Sequence, residues 1–422
     1  MKKLMATAGM CFFLGAGLCA ETTLSVSSAV EMALQNNISV KRSKLDVDSL
    51  ARQAGKSWNV LIPSVSAGLG GSKSNDSSNI SAYGTVSASL AISPVLFQNM
   101  KQTKLNYESG LITYEAATRT IELSVRKAFY SLIYERENVE LLKKDLATAQ
   151  KQYEQTLANQ KVGLVSELDV LTAQVSLENQ KPNLSSAELT YQNDLDFFKQ
   201  LIGVDTSEEL VLDGSLDDAL LLEKIDISGI TVASSDITSL EKQLEIANLK
   251  KQTARLNAYM PSLSLSWTYR PSTILNSDVS TSVIDSGSAS AAITIPLDSY
   301  LPWSADTESV LKADDSIKDI KLQLANARVT SSLEIQALLR RIDQSLATLK
   351  ARKLNVQLAE KTYAMTEDAY KRGTKDLLSL QDAGDSLQEA KVALMKEAYT
   401  LISAVFDLEN EIGVPFGTLG RK

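Results

Sequence analysis

The sequence is written twice, and this internal repeat constrains the fold more than any other feature. Three pairs of segments match in the same order along the chain. They are 59–66 with 257–264 at an offset of 198 residues, and 161–163 with 371–373 and 202–204 with 412–414 at an offset of 210. A shared helical composition would explain matching leucines but not matching proline and glycine positions. The chain therefore contains two copies of one structural unit.

Proline positions and hydrophobic periodicity predict the elements of each copy. Six of the eight prolines fall in two short zones, 63–94 and 261–302. Inside these zones apolar residues alternate with serine, glycine and threonine, which is the period of a strand with one apolar and one small polar face. The predicted strands are 64–70, 84–93, 262–270 and 288–296. Each copy is therefore predicted to run helix, two strands, long helix, tight turn, helix.

The strands admit two interpretations. An antiparallel sheet packed on helices is one, but its polar face would be unusually small and uncharged. A lipid-facing barrel needs an apolar face outward, a polar face inward and aromatic residues near the interfaces. Trp267, Tyr269, Tyr300 and Trp303 can supply those aromatic residues. We favour the barrel, and because four strands cannot close one in lipid, several chains must share it.

Long helices make up the rest of each copy. A first helix is predicted over 27–60, with its N-cap at Ser27 or Ser28. From about 98 to Gly163 the sequence has no proline, and about 65 helical residues make a rod of roughly 100 Å. The chain is predicted to turn back at Gly163 and at Gly373, since glycine suits a turn with positive φ. Pro182 is predicted to kink or interrupt the first returning helix.

The predicted organisation has four parts. Residues 1–20 are an export signal, 21–204 the first repeat, 205–236 an acidic insertion on the outside of the rod, and 237–422 the second repeat. Two polar links between strands, 72–81 and 271–287, are predicted to be exposed loops. After the signal, no stretch of eighteen apolar residues occurs, so no membrane helix is expected.

The export signal has a charged start, an apolar run and a small-residue end. Cleavage after Ala20 is the first expectation, and a lipid-modified Cys19 is the alternative. Cys11 and Cys19 are the only cysteines, and both lie in this segment. A cleaved protein therefore has no disulfide and no thiol chemistry.

Composition excludes several classes of function. The chain has no histidine, which removes the commonest general base and metal ligand. Without Lys2 and Lys3, 41 basic residues face 51 acidic ones, a net charge of −10 with no basic patch, so no nucleic-acid binding is expected. No metal site and no cofactor is predicted. An enzyme of carboxylate type would need paired acids in a pocket, whereas these acids lie on helices and in the insertion.

Four local motifs, in order, carry a resemblance to a known family. They are 29–37 (AVEMALQNN) at the start of the first helix, 61–64 (LIPS) entering a strand, and two helical tips at 163–171 and 373–383. Together they resemble the TolC family over nearly the whole mature chain. The resemblance implies a homotrimer in the outer membrane, with a shared twelve-strand barrel in contact with outer-membrane lipid and a helical tunnel through the periplasm. It also implies docking on a periplasmic adaptor and an inner-membrane transporter of proton-driven or ABC type.

The same resemblance implies a gate at the tip of the helices. Polar links between neighbouring helical hairpins would join Gln152 to Glu367, Asp169 to Tyr370, and Lys375 to the backbone near Leu168. The constriction of the family often has two acidic rings. Asp382 matches one ring and Ser379 stands at the other, with Asp376 and Asp385 near enough in sequence to compensate.

Two alternatives remain open at this point. A periplasmic or surface coiled coil without a pore would show continuous heptads and no alternating strands. A carboxylate-based hydrolase is the other. Within the channel interpretation, the sequence does not separate small-molecule efflux from polypeptide secretion by a type I system.

Overall fold

The computed structural model describes residues 22–73, 80–217, 225, 234–275 and 283–419. The predicted export signal lies outside these residues, as do parts of the predicted loops and of the acidic insertion. In chain order the elements are β1 (Thr22–Ser25), α1 (Val26–Asn36), α2 (Ile38–Gly55), β2 (Ser64–Lys73), β3 (Ile80–Ile92), α3 (Pro94–Lys161), α4 (Glu167–Ile202), β4 (Leu210–Asp213), α5 (Ser235–Tyr259), β5 (Ser262–Tyr269), β6 (Ser272–Leu275), β7 (Val283–Ile284), β8 (Gly287–Thr294), α6 (Ala305–Lys371) and α7 (Leu377–Ile412).

The first helical segment differs from its prediction. The N-cap is Ser25, whose Oγ accepts a hydrogen bond from the amide of Ser28 at 3.3 Å. The predicted single helix over 27–60 is divided at Asn37, which caps α2 by accepting from the amides of Ser39 and Val40. The side-chain Nδ2 of Asn37 also donates to the carbonyl of Leu201 at 2.8 Å, which ties this interruption to the end of α4.

The long helices match the rod expected from the sequence. Helix α3 has 68 residues and α6 has 67, each roughly 100 Å long at about 1.5 Å per residue. Helix α3 packs against α4 and α6 against α7, so each repeat ends in a long hairpin. Within the described ranges, no helix carries an apolar stretch long enough to cross a membrane.

Pro182 does not interrupt the helix that contains it. Helix α4 is continuous from Glu167 to Ile202, so the predicted break is absent. Pro182 and its neighbours Lys181 and Asn183 are exposed, and so is Glu178 one turn earlier. The carbonyl that loses its amide partner to proline therefore lies on the water-facing side, where solvent can replace the bond.

The strands form one antiparallel sheet in the order β2, β3, β5, β8. On its polar face, serine hydroxyls bond across strands: Ser66 to Ser87 at 2.8 Å and Ser266 to Ser290 at 2.7 Å. The apolar face is uncovered, with Leu69 94% exposed and Ile293 72% exposed. The alternative of a sheet packed on helices is therefore wrong for this chain.

The link 271–287 is not a simple loop. Residues 272–275 form β6, which pairs with the outer end of β3 from Ile80 to Tyr83, and β7 pairs with β6. The strand forms because β3 extends beyond the end of β5 and leaves backbone groups to be paired. Strand β2 likewise extends three residues further than predicted, to Lys73.

The acidic segment 205–236 is partly built into the body of the rod. Strand β4 pairs in parallel with β1, and Leu212 and Leu216 are buried in the main hydrophobic cluster. Arg136 on α3 donates to the carbonyls of Leu212 and Gly214. Asp218, Glu223, Lys224 and Asp226 of this segment lie outside the described residues.

The main core lies around the middle of the rod, where α1, α3, α4, α6 and α7 meet. Its largest fully buried side chains include Phe129, Phe198, Ile342 and Leu401. This cluster fixes the long hairpins at one level, and the two helical tips project away from it.

Candidate gate and pore-lining residues

The two helical tips are built on the same turn. Gly163 and Gly373 both have a φ of about +75°, which favours glycine (77° and 73°). The amide of Gly163 donates to Gln160, and that of Gly373 donates to Tyr370, each at 2.9 Å. In neither tip would an added Cβ meet another atom, so backbone conformation alone requires glycine.

The helix after each turn begins with a capping pair, and the pair is reversed between the two copies. In the first, Ser166 is the N-cap and its hydroxyl accepts from the amide of Asp169, while the Asp169 carboxylate accepts from the amide of Ser166. In the second, Asp376 is the N-cap and accepts from the amide of Ser379 at 2.9 Å. These hydrogen bonds from Ser379 hold the pKa of Asp376 below its usual range.

Three of the predicted functional residues already take part in the hydrogen bonds of these caps. Asp169 serves its own helix, so a link from Asp169 to Tyr370 uses the remaining capacity of that carboxylate. Ser379 is bonded through its backbone to Asp376. Asp376 itself is committed as a cap, which makes it a poor replacement for the absent second acidic ring.

The other predicted gate residues lie on the same part of the hairpins without meeting one another. Glu367 pairs with Lys371 one turn later at 2.6 Å. Tyr370, Lys375 and Gln152 have no side-chain hydrogen bond to any described residue of the chain. The three predicted links join neighbouring hairpins, and they stay a prediction.

An acidic stripe runs along α7 beyond its first turn. Asp382, Asp385 and Glu389 follow at spacings of three and four, and all three are exposed. Burial raises the pKa of Asp385, and the nearby Asp382 and Glu389 raise it further. Asp382 and Asp385 were expected near the constriction, whereas Glu389 was not, although its spacing places it on the same helix face.

A polar cavity of about 150 Å³ lies between the hairpins near the tip. Its lining includes Gln152, Asp145, Gln180, Gln381 and Lys391. Three buried atoms facing it have no protein partner among the described residues: Asp145 Oδ2, Gln180 Oε1 and Gln381 Nε2. A cavity of this size with unpartnered polar atoms in its wall has room for water between the hairpins.

Burial also raises the pKa of the Asp145 carboxyl, and Asp385 contributes in the same direction against the opposing effect of Lys391. Among the described residues, no group of three or more acidic side chains is arranged to hold a metal ion. The site therefore consists of polar and acidic side chains on the helices α3, α4, α6 and α7.

Two long helical hairpins on an antiparallel sheet with an uncovered apolar face are the architecture expected of an outer-membrane channel protein. The model of the outer membrane efflux protein family matches residues 29–204 and 230–414, and the chain belongs to this family, the TolC family. It is a channel protein of the outer membrane and not an enzyme, which also excludes the poreless coiled coil and the hydrolase.

Known proteins agree with this assignment. The chain is 24% identical to the probable efflux pump outer membrane protein TtgC of Pseudomonas putida, covering 92% of this chain and 83% of TtgC. It is 22% identical to the outer membrane protein TolC of Escherichia coli, covering 98% and 87%. The fold matches the Campylobacter jejuni CmeC outer membrane channel with a TM-score of 0.77 at 19% identity, covering 98% and 93% of the two chains.

Proposed function

We propose that three copies of this chain form one conduit, with a shared twelve-strand barrel in the outer membrane and a helical tunnel below it. The open edges of the sheet carry this proposal. Among the described residues, β2 pairs only with β3 and β8 pairs only with β5. Unpaired edges are costly in lipid, so further copies must supply the missing partners. Four strands from each of three chains lie within the range of known barrels.

The helices give independent support for association. Leu322, Val329 and Leu333 form an apolar stripe on α6, and each is more than half exposed in one chain (70%, 59% and 57%). The spacing of seven and four residues places them on one face of the helix. A helix of a neighbouring copy would bury this face in a closed tunnel.

The conduit is proposed to be the exit duct of a multi-component exporter. TtgC is described as an efflux pump component, and a passive channel needs an energy source elsewhere. The partners are then a periplasmic adaptor and an inner-membrane transporter of proton-driven or ABC type. Small molecules are the proposed cargo, in keeping with the efflux family, and polypeptide secretion is the alternative.

The gate is proposed to lie at the tip, where Gln152, Asp169, Glu367, Tyr370 and Lys375 would link neighbouring hairpins. A gate needs an interface that separates without exposing much apolar surface, and the polar cavity between the hairpins provides one. At the level of this cavity, which Asp385 itself lines, Asp382 with Asp385 and Glu389 would give a cation-selective constriction once repeated around the axis.

Conductance of the mature protein in planar bilayers tests the gate. The proposed link between Asp169 and Tyr370 would occur three times in the trimer. Three such hydrogen bonds at about 1 kcal/mol each shift an open–closed equilibrium by about a hundredfold. Asp169→Ala/Tyr370→Phe is therefore expected to raise the open fraction strongly. Ser166→Ala is the matched control, because it breaks the cap of α4 but leaves the Asp169 carboxylate in place. A rise in the control equal to that of the double variant would assign the effect to the cap and contradict the gate.

Ion selectivity tests the constriction separately. Asp382→Asn is expected to lower the preference for cations, and Thr172→Asn, at the equivalent position of the first hairpin, is expected to leave it unchanged. A wild-type protein that inserts no conducting channel would contradict the trimeric conduit itself.

A further inference from the structure

Arg270 occupies an unusual place on the sheet. Its neighbours in β5 alternate between the polar face, with Ser262, Ser264, Ser266 and Thr268, and the apolar face, with Tyr269. Arg270 therefore continues the polar face. Its backbone is fixed in register, because its amide donates to the carbonyl of Ser286 at 2.7 Å and its carbonyl accepts from the Ser286 hydroxyl at 2.8 Å.

An aromatic platform holds the Arg270 side chain. The guanidinium carbon lies 4.0 Å from the ring centroid of Tyr83, a close cation–π contact. Tyr83 lies opposite Gly70 on β2, and a Cβ at Gly70 would come within 2.6 Å of the Tyr83 ring. Glycine at position 70 leaves space for this ring, and any larger residue would require the ring to shift. Three strands thus build one stack of Gly70, Tyr83 and Arg270.

Arg270 directly follows β5. On the polar face of the described strands β2, β3, β5 and β8 and of this position, it is the one charged residue. The other side chains of that face are serine, threonine, glycine, alanine and tyrosine. Lys73 falls on the opposite face, because the polar positions of β2 are the even-numbered ones. In the described part of the chain, Arg270 forms no ion pair; Asp285 instead accepts from the Tyr269 hydroxyl at 2.9 Å.

The stack lies far from the helices. The strands join the helices near Ser64, Ile92 and Ser262, and Arg270 is eight residues further along β5. At about 3.4 Å per residue this separation is roughly 27 Å, close to the height of the apolar band of a barrel. Arg270 therefore stands at the outer end of the sheet, opposite the acidic stripe at the helical tip.

We propose that Arg270, supported by Tyr83, forms an anion-attracting ring at the outer mouth of the channel. This inference rests on the proposed trimer, in which the polar face lines the lumen and three guanidinium groups surround the mouth. Fixed positive charge at the outer end and negative charge at the inner end make the conduit electrically asymmetric. The outer ring concentrates small multivalent anions and opposes cations at that end.

Planar-bilayer recording at low salt tests the ring, with inorganic pyrophosphate added to each chamber in turn. Pyrophosphate is expected to reduce the wild-type current from one side only, and Arg270→Gln is expected to weaken that block about threefold or more. Tyr83→Leu, which removes the platform and keeps the charge, should weaken it less. Lys73→Gln removes a positive charge from the other face of the same sheet end and should leave the block unchanged.

High salt provides the control for folding. At 1 M salt the Debye length is about 3 Å, so wild type and Arg270→Gln should show the same conductance. A conducting wild type with equal block in Arg270→Gln would overturn the ring while leaving the trimeric channel intact. Equal loss of block in Lys73→Gln would also overturn it, since general surface charge would then explain the effect. An absence of wild-type channels would instead contradict the proposed trimer.

Discussion

The two hairpins end in the same geometry but use opposite charges to hold it. Gly203 caps the C-terminus of α4 and Gly413 that of α7, both with positive φ. Four residues earlier, at equivalent positions of the repeat, stand Lys199 and Glu409, which are 7% and 0% exposed. The Lys199 ammonium donates to the carbonyl of Thr206 at 2.8 Å, whereas the Glu409 carboxylate accepts from the amides of Gly417 and Leu419, each at 2.8 Å.

This difference shows what the repeat preserves. The backbone turn and the buried polar position are common to both copies, whereas the sign of the charge follows the segment to be held. A carbonyl needs a donor and a pair of amides needs an acceptor. The duplicated unit therefore prescribes where a buried charge stands, and the local partner determines which charge it is.

Replacing Glu409 is expected to have the largest effect. Glu409→Ala removes a fully buried carboxylate and leaves two partly buried amides without their acceptor, which costs about 3 kcal/mol. The expected result is a clear fall in the thermal unfolding midpoint, measured by circular dichroism on the detergent-solubilised protein. Glu409→Gln keeps one acceptor oxygen, and its unfolding midpoint should lie between those of wild type and Glu409→Ala. Wild-type stability in Glu409→Ala would show that the C-terminal contacts contribute nothing.

Replacing Lys199 tests whether the two positions are equivalent. Lys199→Met keeps most of the aliphatic stem and loses the hydrogen bond to the Thr206 carbonyl and a 3.5 Å ion pair with the exposed Asp196, so about 1 kcal/mol is expected. The measurement is the same thermal unfolding midpoint. A loss as large as that of Glu409→Ala would mean that burial and not the number of hydrogen bonds determines the effect.

The N-caps at the helical tips allow the two copies to be compared at the other end of the hairpins. Ser166→Ala removes the N-cap of α4 and is expected to cost about 1 kcal/mol or less at this exposed tip. Ser166→Asp places in the first copy the residue that caps the second copy at Asp376, and should restore stability. Hydrogen exchange of the first amides of α4, faster in Ser166→Ala and normal in Ser166→Asp, would check this directly. Equal exchange in all three proteins would contradict a capping role.

The elements with a periodic pattern of apolar residues could be predicted from the sequence. The rods α3 and α6 and the alternating strands follow from apolar spacing, and the turn glycines follow from the φ that they require. The missed features depend on tertiary contacts. The division at Asn37 requires the carbonyl of Leu201, and β6 requires the unpaired end of β3. The continuity of α4 through Pro182 depends on the exposure of the neighbouring residues, which a single sequence does not show.

Some residues of the candidate site could be predicted from the sequence, and others could not. Asp382 and the tip residues could be named from the repeat and the family resemblance, because their positions are fixed relative to Gly373. The polar cavity near the tip could not be predicted, since Asp145, Gln180 and Gln381 come from three helices. Nor could the stack of Gly70, Tyr83 and Arg270, which depends on the register of three strands.

The smallest expected effect on stability concerns a residue in the middle of the rods, where the two hairpins can be compared directly. Glu135 on α3 lies near Asp194 on α4, where the second copy has Ser345 and Ala404. Burial and the Asp194 carboxylate raise the pKa of Glu135 to about 7, against the opposing hydrogen bond from Ser131. Glu135 Oε2 is buried and has no hydrogen-bond donor among the described residues, so a proton on Glu135 removes a poorly solvated negative charge beside Asp194.

The sign of the pH dependence follows from the raised pKa. Between about pH 4.5 and 7 the folded protein binds more protons than the unfolded chain, so this carboxyl makes stability fall as pH rises through that window. The half-exposed site is screened, and the change is expected to stay below about 1 kcal/mol. Glu135→Gln should flatten this part of the pH profile of the unfolding midpoint and raise stability at pH 8. A profile identical to wild type would show that Glu135 is ionised at neutral pH, and that the first hairpin tolerates a carboxylate pair where the second copy has serine and alanine.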